Sequence, residues 1–220
     1  IGIKNTAETL GEAADYFSEG FEVFKIKTGL DVEEDIERVL LLHEKYGNKI
    51  KIRVDANQGY TLSKLIKFIN ATEKTGLELI EQPLPVGKET ELLLLDQEHR
   101  NKLAADESLH NAKAAINLAS VNYPFGIYNI KLMKCGGILG AREIANIAKS
   151  ANISLFWGCN DESIISITAA LHVAYSCPHT HYLDLDGSFD LAEDLVTGGF
   201  EIKNGLLMIN KQPGFGFDWS

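Results

Sequence analysis

Two lysines one residue apart, Lys25 and Lys27, are the first residues whose types and spacing could do chemistry. Side chains along a β-strand alternate between its two faces, so both ammonium groups would point to one side, and Phe24 and Ile26 to the other. Two neighbouring charges of the same sign on an inner face are costly unless negative charge lies beside them. We therefore expect acidic residues to face Lys25 and Lys27.

Three carboxylates meet this expectation, because Asp55, Glu81 and Asp106 each stand at the end of a predicted strand, about 25 residues apart. If they converge at one edge of a sheet, they form an oxygen-only site of the kind that Mg²⁺ prefers. The alternative is that each is an ordinary acidic residue at the start of a surface loop, where Asp and Glu are common.

A further lysine, Lys131, lies near the end of a later predicted strand and shares a face with Asn129. Two lysines on either side of a metal suggest acid and base groups acting on opposite faces of one carbon atom, here Lys27 and Lys131. The alternative is a structural salt bridge from Lys131 to Asp106 or Glu107.

The pair Asp184 and Asp186 repeats the alternating arrangement with negative charge on the last predicted strand. Two inward carboxylates suit a cationic ligand group such as an ammonium. They could equally serve as structural partners of Lys25 or Lys27. Asn57 could position substrate oxygens, although a polar residue is also ordinary in a loop.

The elements that must position these residues alternate between strand and helix, which indicates right-handed βαβ crossovers and a parallel sheet. Chemically reactive side chains recur at strand ends about every 25 to 28 residues, as in a TIM-like barrel. An open doubly wound sheet would show a switch point and a glycine-rich phosphate turn, and neither is visible. The predicted strands are 1–5, 21–28, 50–55, 77–81, 103–106, 128–133, 153–158 and 182–186. We therefore predict an α/β fold, a (β/α)7β barrel over residues 1–190.

Residues 191–220 form a second predicted segment. Residues 200–209 read as a hairpin around Asn204-Gly205, a pair that favours a type I′ turn. An irregular aromatic tail follows, which we expect to pack on the barrel or on a neighbouring capping domain.

Composition narrows the class of protein. The formal charge of −10 disfavours nucleic acid and anionic membranes as partners. No apolar run is long enough for a membrane helix. The three cysteines match no metal-binding spacing, so we expect reduced thiols in a cytoplasmic protein. A small-molecule substrate is the expected partner. The sequence is compatible with a homo-oligomer and does not decide the oligomeric state.

The chain resembles the muconate-lactonizing subgroup of the enolase superfamily in five motifs that occur in the same order. These motifs are Lys25-Ile26-Lys27, Val54-Asp55-Ala56-Asn57-Gln58-Gly59, Ile80-Glu81-Gln82-Pro83, Ala105-Asp106-Glu107-Ser108 and Ile130-Lys131-Leu132-Met133-Lys134-Cys135-Gly136-Gly137. With Leu183-Asp184-Leu185-Asp186 added, the resemblance is greatest to the dipeptide epimerases, typified by L-Ala-D/L-Glu epimerase.

The resemblance implies a Mg²⁺-dependent enzyme that inverts the α-carbon next to a dipeptide carboxylate by proton transfer through an enediolate. The implied site residues are Asp55, Glu81 and Asp106 for the metal, Lys27 and Lys131 as the acid/base pair, and Lys25, Asn57, Asp184 and Asp186 for the substrate. Lys25 would contact the substrate carboxylate, and the two aspartates would hold its α-ammonium group.

Family members carry an N-terminal α+β capping domain that closes over the barrel and selects the substrate, and the sequence does not show one. The loop 158–162 is then the best remaining candidate for side-chain specificity. Alternative functions are an o-succinylbenzoate synthase or muconate cycloisomerase, or an inert truncated barrel. Those two enzymes share the lysines and the metal ligands, but their substrates carry no ammonium group for Asp184 and Asp186 to hold.

Overall fold

The computed structural model describes residues 1–120 and 122–220, which form two compact units, Ile1–Ser108 and Leu109–Ser220. The first unit contains four parallel strands separated by helices. Its elements are α1 (Thr6–Ser18), β1 (Val23–Lys27), α2 (Val32–Tyr46), β2 (Lys51–Asp55), α3 (Leu62–Thr72), β3 (Leu79–Glu81), α4 (Gln97–Arg100) and β4 (Leu103–Ala105). The predicted parallel α/β pattern is confirmed for this unit.

The register of the strands brings their carboxyl ends to one level. Lys27 pairs with Asp55, Asp55 with Glu81, and Glu81 with Ala104. Asp106 lies two residues beyond Ala104, and a two-residue step along an extended chain returns to the same face. The backbone pairing alone therefore gathers the predicted site residues of this unit at one edge.

Side-chain caps explain where the three long helices begin. Asn5 accepts a hydrogen bond from the amide of Glu8 at 2.9 Å, so it caps α1, whose first residue is Thr6. Asp31 and Thr61 cap α2 and α3 in the same way. Each cap satisfies an amide that the helix itself leaves without a partner.

The predicted strand over residues 1–5 is wrong. Only Ile1 pairs with β1: its amino group donates to the Lys25 carbonyl at 2.8 Å, and its carbonyl accepts from the Lys27 amide at 2.9 Å. The chain bends at Ile3 on its way to the Asn5 cap, so the pairing does not continue. The described residues consequently contain seven parallel strands, four here and three in the second unit, where we predicted eight.

Residues 89–100, between β3 and β4, do not form one continuous helix. A 3₁₀ helix, Glu89–Leu94, is followed by extended backbone at Leu95 and Asp96 and then by the short α4. Leu92 and Leu95 are buried while Leu93 and Leu94 are exposed. Leu92 is thus the buried residue of this 3₁₀ helix, and Leu95 is buried just beyond its end.

A buried ionic network that we did not predict ties α2 to the loop after β1. Asp35 is fully buried and accepts hydrogen bonds from the Gly29 amide at 2.9 Å and the Tyr60 hydroxyl at 2.7 Å. It also pairs with the Arg38 guanidinium, which donates to the Lys4 carbonyl at 2.9 Å. Burial raises the pKa of Tyr60, so its hydroxyl stays protonated and keeps donating to Asp35.

Replacing Asp35 by alanine is expected to lower the free energy of unfolding by about 3–5 kcal/mol, because the buried Arg38 charge loses its partner. Chemical denaturation followed by circular dichroism measures the change. Glu34→Ala, an exposed site on the same helix, is the control and should stay within about 0.5 kcal/mol of wild type. An Asp35→Ala protein as stable as that control would contradict the role given to this network.

The second unit pairs three parallel strands, β5 with β6 and β6 with β7. Its elements are α5 (Ala112–Leu118), β5 (Ile127–Ile130), α6 (Leu132–Cys135), α7 (Gly137–Ser150), β6 (Ser154–Trp157), α8 (Ile164–Ser176), β7 (Thr180–Leu183), β8 (Val196–Gly198), β9 (Phe200–Lys203), β10 (Leu206–Ile209) and β11 (Phe217–Trp219). Tyr128, Phe156 and Trp157 are fully buried, and the Tyr128 hydroxyl donates to the Ala115 carbonyl at 2.8 Å.

The strand predicted over residues 128–133 ends early, at Ile130. Lys131 is the N-cap of α6, and its carbonyl accepts the amides of Lys134 at 3.1 Å and Cys135 at 3.2 Å. The apparent alternation of apolar and polar residues beyond Ile130 therefore belongs to one helical turn. Within this turn, Lys134 is partly buried and donates to the Asn129 carbonyl at 3.4 Å.

The predicted hairpin is confirmed. Antiparallel strands β9 and β10 flank Asn204 and Gly205, whose φ values of 50° and 71° suit a type I′ turn. The tail is more regular than predicted, since β11 pairs with β8. The ring of Phe215 in this tail contacts His172 of α8, with centroids 5.1 Å apart. A domain boundary at residue 190 stays a prediction.

Among the residues that the structure covers, no helix is both long enough and apolar enough to cross a membrane. All three cysteines are free thiols.

Candidate functional site

Five predicted site residues lie at the same strand edge of the first unit, and we call them the carboxylate–lysine cluster: Lys25, Lys27, Asp55, Glu81 and Asp106. The Lys27 ammonium lies 2.6 Å from Asp55 Oδ2. The Lys25 ammonium lies 2.9 Å from Glu81 Oε2 and 3.5 Å from Asp55 Oδ2. The expectation that acidic residues face the two lysines is confirmed for Asp55 and Glu81.

Burial makes this cluster electrostatically demanding. The carboxylates of Asp55 and Glu81 are fully buried and Asp106 is 4% exposed, whereas the Lys27 side chain is 40% exposed. Charges taken out of water need close partners of opposite sign. Counted formally, the three carboxylates exceed the two ammonium groups by one negative charge, which favours an additional cation at this edge.

The donor chemistry of the cluster fits Mg²⁺, a hard cation that takes oxygen ligands. Over residues 1–120 and 122–220, however, no three His, Cys, Asp or Glu side chains are already gathered closely enough to hold a metal ion. The Lys25 and Lys27 ammonium groups occupy the positions next to the carboxylate oxygens instead. A metal would therefore have to share those oxygens with the lysines.

The loop after β2 places Asn57 beside Lys27. The Asn57 amide donates to Asp55 Oδ1 at 3.0 Å, and its Oδ1 accepts from the Lys27 ammonium at 3.1 Å. Asn57 adopts φ 40°, in the left-handed region that few residues other than glycine favour. It thus holds Lys27 and the backbone after β2 together, a local geometry that composition alone does not reveal.

Close packing of two loops fixes the same edge. A Cβ on Gly29 would lie 2.2 Å from the Ala56 carbonyl oxygen, and a Cβ on Gly59 would lie 2.2 Å from the Gly29 carbonyl oxygen. Any larger residue at either position would push the loop after β1 away from the loop after β2. The glycines thereby keep Lys27 in reach of Asp55.

Gln82 is a residue of this site to which we assigned no role from the sequence, where it only follows the predicted strand 77–81. Its side chain is fully buried and bonds to the amides of Asp106 and Ser108 and to the Ser108 hydroxyl. Ser108 in turn donates to Glu89 at 2.7 Å. Burial alone would raise the pKa of Glu89, but hydrogen bonds from Ser108 and the Gly87 amide lower it. The signal for Gln82 was its place between Glu81 and a proline.

In the second unit, Lys131 directly follows β5 and is 8% exposed. Its ammonium donates to Asn160 Oδ1 at 3.3 Å. The Asn160 amide donates to Glu162 Oε1 at 2.9 Å, so the loop after β6 orients the Lys131 partner. Asn129 is fully buried, and a Cβ on Gly158 would collide with its side chain at 2.4 Å. The loop 158–162 therefore contacts both Lys131 and Asn129.

Asp184 and Asp186 follow β7, with Asp184 partly buried and Asp186 exposed. Cys159 lies beside both: its Sγ donates to the Asp184 carbonyl at 3.3 Å and lies 3.7 Å from Asp186 Oδ1. The Gly187 amide donates back to the Cys159 sulfur at 3.3 Å. The thiol thus bridges the segment that carries the two predicted ammonium ligands, a contact that the sequence did not indicate.

Cys159 is expected to resist alkylation. Burial, followed by the charges of Asp186 and Asp184, raises the pKa of this thiol to about 12. At pH 8 only about one molecule in ten thousand then carries the reactive thiolate. Iodoacetamide labelling at pH 8, read by peptide mass spectrometry, should be slower at Cys159 than in a short cysteine peptide by about a thousandfold. The denatured protein, in which the thiol has its ordinary pKa, is the control; equal rates in the native and denatured states would contradict this.

Comparisons with known proteins show the family to which the chain belongs. The family model described as Enolase C-terminal domain-like matches residues 8–220. An L-Lys-D/L-Arg epimerase of Desulforapulum autotrophicum is 52% identical over 217 residues, which are 98% of this chain and 61% of that protein. An L-Ala-D/L-Glu epimerase of Clostridium acetobutylicum is 31% identical, over 99% of this chain and 61% of that protein.

A solved structure gives the same result. The crystal structure of the dipeptide epimerase from Methylococcus capsulatus, complexed with Mg and the dipeptide L-Arg-D-Lys, has a TM-score of 0.97 at 48% identity. The match covers 100% of this chain and 62% of the chain in that crystal structure. The chain thus spans about three fifths of the relatives that it matches. From the family model and these similarities, the chain belongs to the enolase superfamily, as an enolase C-terminal domain-like chain related to the dipeptide epimerases.

Proposed function

We propose that this chain carries the catalytic residues of a Mg²⁺-dependent dipeptide epimerase in the cytoplasm, with its parallel strands closed into a (β/α)7β barrel. The reaction inverts the α-carbon next to the dipeptide carboxylate. The observation that carries the proposal is the 52% identity to an L-Lys-D/L-Arg epimerase over nearly the whole chain. The carboxylate–lysine cluster supplies the side chains that such a reaction needs.

Asp55, Glu81 and Asp106 would hold the Mg²⁺ ion, because they are buried carboxylates at the ends of consecutive strands. When bound, the ion would stabilise the second negative charge that develops on the substrate carboxylate as the α-proton leaves. Lys25, which already pairs with Glu81 and Asp55, adds a positive charge close to the same oxygens.

Lys27 acts as one proton acceptor and donor. Its ammonium is fixed by Asp55 at 2.6 Å and Asn57 at 3.1 Å, while 40% of the side chain stays accessible. A positioned and accessible amine is what proton transfer to or from a substrate carbon requires.

Lys131 is the second acid/base group in the proposal. Its ammonium is nearly buried and oriented by Asn160 at 3.3 Å. Inversion needs a proton removed from one face of the α-carbon and a proton delivered to the opposite face, so each lysine exchanges the proton of one epimer.

Asp184 and Asp186 would bind the substrate α-ammonium through charge-assisted hydrogen bonds. For the side chains we propose cationic dipeptides of Lys and Arg, following the names of the most similar relatives that we report. The exposed Asp161, in the loop that contacts Lys131, favours a cationic side chain over an acidic one.

Proton exchange in D₂O tests this function in the full-length protein with Mg²⁺. Dipeptides ending in Lys or Arg, a dipeptide ending in Glu, and a hydrophobic dipeptide are compared by ¹H NMR. We expect loss of the α-proton signal of the C-terminal residue to be fastest for the basic dipeptides. The alternative function would be established by a protein that exchanges the proton of none of these dipeptides and instead catalyses elimination from the precursor of o-succinylbenzoate or ring closure of muconate.

A further inference from the structure

We propose that Gln82 is a positioning residue that fixes Asp106 for metal binding. The inference rests on the proposed function, because it concerns the residue that places one of the three proposed metal ligands. Gln82 itself contacts none of the reacting atoms in this account and acts through the backbone of Asp106.

The contacts of the Gln82 side chain are complete. Its Oε1 accepts from the Asp106 amide at 3.0 Å and from the Ser108 amide at 3.1 Å. Its Nε2 donates to the Leu84 carbonyl at 3.0 Å and to the Ser108 hydroxyl at 2.9 Å. One oxygen and one nitrogen therefore use both acceptor and both donor positions of the amide.

These bonds join the ends of two neighbouring strands. Gln82 follows Glu81 directly on β3, and its own amide donates to the Ala104 carbonyl of β4 at 2.8 Å. The backbone pairing ends there, because β4 ends at Ala105. Beyond that point, the Gln82 side chain replaces the backbone hydrogen bonds between the strands and holds the Asp106 amide in place.

The backbone of Gln82 shows that this arrangement is maintained against a local cost. Its φ of 32° lies in the left-handed region, where a residue with a long side chain is rarely found. The side chain is fully buried, so water cannot replace its hydrogen bonds. A non-glycine residue held in such a conformation is characteristic of a site whose geometry serves function.

Losing this amide leaves two buried N–H groups, those of Asp106 and Ser108, without an acceptor. Such groups move towards another partner or towards water, because burial without a hydrogen bond is costly. The Asp106 carboxylate would then leave the position set by the strand ends, whereas Asp55 and Glu81 keep theirs through the β2–β3 pairing. The expected consequence is a weaker metal site in a protein that is still folded.

The test compares Mg²⁺ affinity by isothermal titration calorimetry in the full-length protein, for wild type and Gln82→Met, which keeps the length of the side chain and removes its hydrogen bonds. We expect the dissociation constant to rise at least about tenfold, as for other residues that orient metal ligands. Gln97→Met, the same change at an exposed helix position, should leave it unchanged.

A second variant separates positioning from general stability. Ser108→Ala removes one partner of Gln82 but keeps the Oε1 acceptor for the Asp106 amide, so we expect a change below about threefold. A purely structural role predicts a lower melting temperature for Gln82→Met and an unchanged dissociation constant, and that result would overturn the proposal. An equal rise in Ser108→Ala would also overturn it. If Gln82→Met does not fold, Gln82→Asn, whose amide sits one methylene short, carries the same expectation.

The outcome is distinct from that of the proposed function. Mg²⁺ affinity is measured without substrate, so a wild-type protein that binds the ion and epimerises no dipeptide would refute the function and leave the Gln82 comparison intact. A wild-type protein that binds no Mg²⁺ would overturn the role of Gln82 together with the metal assignment.

Discussion

Lys27→Ala and Lys131→Ala are each expected to lower the rate of dipeptide inversion by about 10²–10⁴-fold or more, the usual cost of losing a positioned acid/base group. If each lysine serves one epimer, the two losses differ in kind. Lys27→Ala should stop solvent exchange from one epimer and Lys131→Ala from the other. Each variant would still exchange deuterium into the epimer that its remaining lysine serves.

The rates of epimerisation and of solvent exchange are measured by ¹H NMR in D₂O, starting from each epimer in turn. Lys51→Ala and Lys149→Ala, at exposed positions of β2 and α7, are the matched controls. A structural role for Lys131 predicts lower stability and an equal fall of both exchange rates. Full epimerisation by either variant in a folded, Mg²⁺-loaded protein would contradict the assignment of the two bases.

Removing one charge from the metal ligands is expected to have the second large effect. Asp55→Asn, Glu81→Gln and Asp106→Asn should each weaken Mg²⁺ binding by about a hundredfold or more and abolish turnover. Substitution of a direct ligand costs at least as much as the 10- to 100-fold known for the residues behind it. Each substitution keeps the shape of the side chain, so the fold should remain largely intact.

Calorimetry with Mg²⁺ measures this effect, and circular dichroism checks the fold. Glu98→Gln on α4 makes the same chemical change at an exposed position and should bind Mg²⁺ like wild type. Unchanged affinity in all three ligand variants would refute the metal site. A loss confined to one variant would show that the other two carboxylates serve only the lysines.

The part of the candidate site in the first unit was predictable, because the positions of its side chains depend on strand alternation. Lys25 and Lys27 lie two residues apart, and the parallel register places Asp55 and Glu81 at the level of Lys27. Period-two alternation and strand-end position are properties of local sequence. The contacts of the lysines with these carboxylates followed from them.

The remaining features depend on contacts between distant residues, which local patterns do not encode. Asp35 looks like an ordinary acidic residue in the first turn of a helix, yet it is buried against Arg38 and Tyr60. Gln82 looks like a residue before a turn, yet its amide bonds to Asp106. In both cases a partner distant in sequence decides the role: Asp106 lies 24 residues from Gln82, and Tyr60 lies 25 residues from Asp35.

Errors at element ends have a similar origin. Asn5 and Thr6 are both good N-caps, and only the chain path selects Asn5. The alternating pattern after Ile130 suited a longer strand, but the carbonyl of Lys131 starts a helical turn. Short alternating stretches fit either structure, so their ends could not be predicted.

The central claim is that this protein moves a proton at the α-carbon of a dipeptide without changing its constitution. The most direct measurement is the isotopic content of the product formed by full-length protein with Mg²⁺ and an L,L-dipeptide of Lys and Arg in D₂O. The account predicts an epimer inverted at its C-terminal residue that carries one deuterium at that α-carbon. An inverted product without deuterium, or a product formed by elimination or ring closure, would contradict it.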